Sequence, residues 1–151
     1  MGYTHVKVFE AGFPAWMKVK GNYASVSAGY MKKQIAAKAD MVIVDSRPKR
    51  KKYDKGHLPG AISIPDSQFD KLKNTLPREM DKLLVFYCGG FKCKLSHKSA
   101  AKAIAMGYAN VKVFAAGYPA WKAMAGSTTM AAKAAPSQIK AGQEEGSIDI
   151  D

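Results

Sequence analysis

The 151-residue chain is poor in acidic side chains, in histidine and in cysteine: 12 Asp+Glu, 3 His and 2 Cys stand beside 24 Lys+Arg. Two cysteines five positions apart, Cys88 and Cys93, exclude the disulfide framework that staples small secreted domains. Cys-x4-Cys with only His97 nearby falls short of a zinc ligand set, so no metal and no cofactor is expected. No apolar run reaches the roughly 18 residues a membrane span needs. The N-terminal residues lack the basic start, apolar middle and small-residue cleavage site of a secretory signal. A soluble chain is therefore expected, with the compartment open between cytoplasm and periplasm.

The shortage of acid leaves a formal charge of +12. Such an excess attracts anions, although a lysine-rich solvated surface has the same composition. The one dense run is Arg47-Pro48-Lys49-Arg50-Lys51-Lys52. Nucleic-acid binding pairs basic residues with aromatic or groove-reading elements. Only Tyr53 stands close, so small anions are the expected partners, and neither nucleic acid nor membrane is.

What is present is a repeat. Residues 1–21, MGYTHVKVFEAGFPAWMKVKG, match residues 106–126, MGYANVKVFAAGYPAWKAMAG, at 13 of 21 positions without a gap. The offset is domain-sized, far beyond the roughly 20–50 residues of a solenoid unit. Residues 1–21 are therefore expected to be the closing segment of one domain copy and 22–126 a complete second copy. Residues 127–151 read as a small, polar linker or tail, whose end (Gly146-Ser147-Ile148-Asp149-Ile150-Asp151) resembles the strand at 41–45 and so the start of a further copy. Residues 6–9, Val-Lys-Val-Phe, read as a strand that is loose, docks on the sheet edge or exchanges between chains, giving a monomer or a swapped dimer.

Within 22–126 the pattern alternates between helix and strand. Helices are predicted over 30–38, 67–73, 96–106 and 119–124, and strands over 41–44, 61–64, 83–87 and 111–114. Ser96 is the predicted N-cap of its helix and Gly107 its stop. Continuous apolar strands between helices imply an α/β fold: a central parallel sheet with helices on both faces.

Cys88 follows the strongest strand, LLVFY, where ligands bind in such folds. Gly89, Gly90, Phe91, Lys92, Cys93, Lys94, Leu95 and Ser96 then lead into a helix N-terminus, whose free N–H groups and dipole favour an anion. The glycines let the backbone turn its amides inward, and Lys92 and Lys94 add charge. A thiol held there is expected to be an accessible thiolate. Against this stands the reading of Cys88 as an inert, buried strand-end cysteine.

Several segments together resemble the rhodanese family over essentially all of 22–126. They are Asp45-Ser46-Arg47, then Tyr53-Asp54-Lys55-Gly56-His57-Leu58-Pro59-Gly60-Ala61-Ile62, Tyr87-Cys88, Met106-Gly107-Tyr108-Ala109-Asn110-Val111 and Gly117-Tyr118-Pro119-Ala120-Trp121. The resemblance implies a rhodanese-type fold and sulfane-sulfur transfer through a persulfide on Cys88. It implies a small anionic sulfur donor, a thiol or cyanide-like acceptor and, given the repeat, another rhodanese unit as neighbour. Asp45, Arg47 and His57 are supporting residues. A salt bridge is the default role for Asp45, and turn stabilisation for His57. The run at 49–52 is expected near the mouth of the site.

The active loop departs from the family pattern. Leu95 stands at the place of the family's Arg and Ser96 at that of its following Ser, and the loop is two residues longer. Loss of the Arg fork removes bidentate oxyanion recognition, which disfavours phosphate-ester and arsenate chemistry. Linear polysulfide or a protein persulfide then stands beside thiosulfate as donor. Three functions follow: a sulfurtransferase, a non-catalytic binding or regulatory module, or a thiol-disulfide reductase using Cys88 and Cys93.

Overall fold

The computed structural model describes Gly2 and residues 4–134, with residues 127–134 as helix backbone only. Five strands, β1 (Ala24–Ser25), β2 (Met41–Asp45), β3 (Ile62–Ser63), β4 (Leu83–Tyr87) and β5 (Val111–Phe114), form one sheet in the order β1-β5-β4-β2-β3. Every neighbouring pair is parallel, as the α/β reading expects. The helices are α1 (Gly12–Lys18), α2 (Ala28–Ala36), α3 (Phe69–Leu72), α4 (Leu95–Ala105) and α5 (Gly117–Ala134). Among them none is long and apolar enough to cross a membrane.

Strand side chains alternate between the two sheet faces, and both faces are covered, which is why the strands read as unbroken apolar runs. Val44, Leu84, Phe86, Val111 and Val113 pack on one face against Phe69 of α3 and Ala100 and Ala103 of α4. Ile43, Val85, Tyr87 and Phe114 pack on the other against Met31 of α2 and Trp121 of α5.

The local readings shift in instructive ways. Helix α2 starts two residues earlier than predicted because the Ser27 hydroxyl accepts the Tyr30 N–H at 3.1 Å and caps it. Ser96 is not an N-cap: α4 begins at Leu95, Lys94 takes the cap position without a side-chain bond, and Ser96 is buried in the first turn. Gly107 does end that helix, with φ 109° just beyond the C-cap Met106. The predicted helix over 67–73 shortens to α3, flanked by 3₁₀ turns at Asp66–Gln68 and Lys73–Thr75. Strand β1 was not anticipated, since two residues show no alternation.

Helix α5 continues through Ala134, past the expected start of the linker at 127; its alanine-rich continuation favours helix. The remaining 135–151, with the Ile148-Asp149-Ile150 match, lie outside the described residues. Residues 6–9 form no strand and do not join the sheet edge. A seven-residue helix, α1, follows them with no buried side chain.

Candidate active site

Parallel strands end together, so the carboxyl ends of β2 and β4 lie side by side, with Asp45 in register with Tyr87. Cys88 leaves the sheet there. Asp45 is fully buried and Arg47 nearly so. The Arg47 Nε and Nη2 donate to the Asp45 carboxylate at 2.9 and 2.5 Å, and the Arg47 backbone N–H adds a third bond at 2.9 Å. The Tyr87 hydroxyl donates to the same carboxylate at 2.7 Å and accepts the Leu58 N–H at 3.1 Å. Burial, then the neighbouring Asp45 charge, push the Tyr87 hydroxyl far above the usual range for a phenol, so it stays a donor.

This network fixes the floor of the site. Arg47 Nη2 also donates to the Gly56 carbonyl at 2.7 Å, tying in the loop that carries His57. Its guanidinium lies 4.5 Å from the centre of the Tyr118 ring. Its charge is thus spent on Asp45 and does not replace the Arg absent from the loop. His57 stacks on Tyr53 at 3.8 Å, with its Nδ1 3.0 Å from the Tyr53 carbonyl. That is the turn-stabilising role, and His57 is exposed. His97 is half-buried and bonded to the Tyr23 hydroxyl at 2.8 Å.

The start of α5 closes against the loop. The Cys88 carbonyl accepts the Tyr118 N–H at 3.0 Å. A side chain at Gly117 would collide with that carbonyl and with the Gly90 nitrogen, and Gly117 holds φ 65°. Only glycine meets both conditions at once.

The sulfur itself is not a free thiolate but is in the oxidised form open to the Cys88 and Cys93 pair of the reductase reading. Cys88 and Cys93 are joined by a disulfide, with Cα atoms 6.3 Å apart. Cys88 is 1% exposed, whereas Cys93 is half-buried. The open thiolate expected at Cys88 is therefore not what this oxidised state presents. Phe91 at the loop tip is 78% exposed, and Gly89, Lys92 and Lys94 are exposed beside it. The Cys93 N–H donates to the Gly90 carbonyl at 3.0 Å, a tight turn that brings the second sulfur back to the first.

Beside this loop lies a depression of about 380 Å³ lined by Arg47, Lys51, Lys52, Lys55, Gly89, Tyr118, Pro119 and Lys122. Lys51 and Lys52 come from the basic run; Lys49 instead pairs with Asp54 at 2.8 Å. Among the described residues, Lys51, Lys52, Lys55 and Lys122 form no ion pair. Lys55, Lys122, Gly117 and Tyr118 were not singled out as site residues. The family segments carrying Lys55, Gly117 and Tyr118 were visible in the sequence, but not their convergence with Lys122 on Gly89.

The rhodanese-like domain model matches residues 27–124, and the chain belongs to that family. Among solved structures, a protein from Bacillus halodurans is 28% identical, with a TM-score of 0.63, covering 77% of this chain and 82% of that one. The human single-domain sulfurtransferase shares the fold at 24% identity and TM-score 0.55, over 68% of this chain and 97% of its own. A rhodanese-like domain from Anabaena does so at 21% identity and TM-score 0.54, over 86% and 91%. No curated protein matches.

Proposed function

We propose that the chain is a sulfurtransferase that takes sulfane sulfur as a persulfide on Cys88 and passes it to a thiophilic acceptor. One juxtaposition carries this reading: Cys88 is followed directly by Gly89, which lines the lysine-walled depression. Four lysines that form no ion pair among the described residues concentrate anions at the mouth. The N-terminus of α4 follows the loop and favours negative charge. A donor such as thiosulfate or a polysulfide is anionic, and so is the persulfide left behind. Since Cys88 is covered while bonded to Cys93, the protein must be reduced before it can accept sulfur.

The test is transfer from thiosulfate, or separately from polysulfide, to cyanide by pre-reduced protein. Cys88→Ser is expected to lower turnover by at least about a thousandfold, as loss of a covalent nucleophile does. Added salt should lower kcat/KM by about tenfold or more through screening of the lysines. A Cys88→Ser variant that keeps the wild-type rate rejects the reading.

The second reading, a non-catalytic rhodanese module, is favoured by Leu95 at the place of the family's Arg and by the burial of Cys88. Failure of the reduced protein to take sulfur from any donor class would support it.

A further inference from the structure

The loop carries a second sulfur that the transfer reaction does not use. The turn at Gly90 places Cys93 within bonding reach of Cys88, and the two are joined. Their Cα separation of 6.3 Å falls within the range ordinary disulfides span. The two sulfurs also differ in access: Cys88 is buried and Cys93 half-buried. A disulfide with one covered and one reachable sulfur is opened by an outside thiol at the reachable end, and the covered sulfur leaves as thiolate.

We infer that Cys93 is a resolving cysteine that discharges the Cys88 persulfide inside the loop, so that the domain also acts as a dithiol-dependent reductase of sulfane sulfur. The inference rests on the persulfide reading above. In the step, the Cys93 thiolate attacks the inner sulfur of the Cys88 persulfide. The Cys88–Cys93 bond forms, the bond to the outer sulfur breaks, and that sulfur leaves with the electron pair as hydrosulfide. The outer sulfur is reduced by two electrons, one from each cysteine. An external dithiol, a small molecule or a redox protein, then attacks Cys93, restores both thiols and becomes a disulfide itself. The structure corresponds to the state between discharge and re-reduction. The substrate class is a polysulfide or persulfide, the product is sulfide, and the co-substrate is a dithiol.

The experiment uses the full chain, pre-reduced, freed of reductant and kept anaerobic, with one equivalent of inorganic tetrasulfide. Sulfide is followed with a selective electrode and the protein by intact mass and peptide mapping. Wild type is expected to release one sulfide per chain and to end as the Cys88–Cys93 disulfide, about 2 Da lighter than the dithiol. Cys93→Ser should instead retain about 32 Da on Cys88, with a persulfide lifetime at least about tenfold longer. Cys93→Ala should repeat this without a hydroxyl in the loop, and Cys88→Ser should release nothing. A wild-type persulfide as long-lived as that of Cys93→Ser overturns the inference, as does sulfide release by Cys88→Ser. A Cys93→Ser protein that never gains sulfur removes the persulfide reading itself, and the resolving role with it.

Discussion

Residues 6–19 and 111–124 carry nearly one sequence in two environments. Val8 is 79% exposed and Phe9 57%, while their counterparts Val113 and Phe114 are fully buried. The first Val-Lys-Val-Phe is irregular; the second is β5, held between β1 and β4. The helices behave differently. Helix α1 begins at Gly12 with φ 69° and α5 begins at Gly117 with φ 65°, the same repeat position and the same backbone angle. Proline follows two residues later in both, early in the first turn, where its missing N–H costs nothing. A helix start is written locally and survives the loss of its surroundings. A strand is completed by chain segments far away in sequence, and without them the same residues do not form one.

The largest effect that tests this contrast is in the core. Phe114→Ala should lower the free energy of unfolding by about 3–5 kcal/mol. Phe9→Ala should change it by no more than about 0.5 kcal/mol. Urea unfolding of both variants measures the difference, and equal losses would break the comparison.

The glycine pair sharpens it. Alanine at either glycine has to adopt a left-handed backbone, at about 1–2 kcal/mol. At Gly12 the added methyl meets only Pro14 at 3.7 Å, whereas at Gly117 it collides with the Cys88 carbonyl. Gly117→Ala should therefore cost more than Gly12→Ala and should also slow sulfur loading on Cys88, read by intact mass. Gly12→Ala should leave loading unchanged. A small effect is also expected from deleting residues 1–21, which contribute no fully buried side chain among those described. Unfolding free energy should move by less than about 1 kcal/mol. A larger loss would mean that this segment packs on the domain in solution.

Much of the fold was legible because it is local or periodic. Leu83–Tyr87 and Val111–Phe114 matched their apolar runs residue for residue, and Gly107 ended its helix where expected. The misses have physical causes. Ser96 has a capping residue's chemistry, yet packing drew it into the first turn and left the cap to Lys94. Ser27 does cap, through a bond the pattern did not weigh. In the site, Cys88 and its loop were placed by sequence, as was the Asp45–Arg47 pair. The role of Tyr87 in tying Asp45 to Leu58 was not, because it spans 42 and 29 positions of chain.

The sequence alone determined the α/β class, the position of Cys88 at a strand end, and the repeat that relates the first 21 residues to residues 106–126. Tertiary structure decided which copy of Val-Lys-Val-Phe is a strand, that Lys55 and Lys122 meet beside Gly89, and that Cys88 is covered and paired with Cys93. Helix bonds close within about four residues, so local sequence sets where a helix starts. Sheet bonds and converging charges join positions tens of residues apart, and only the folded chain brings them together.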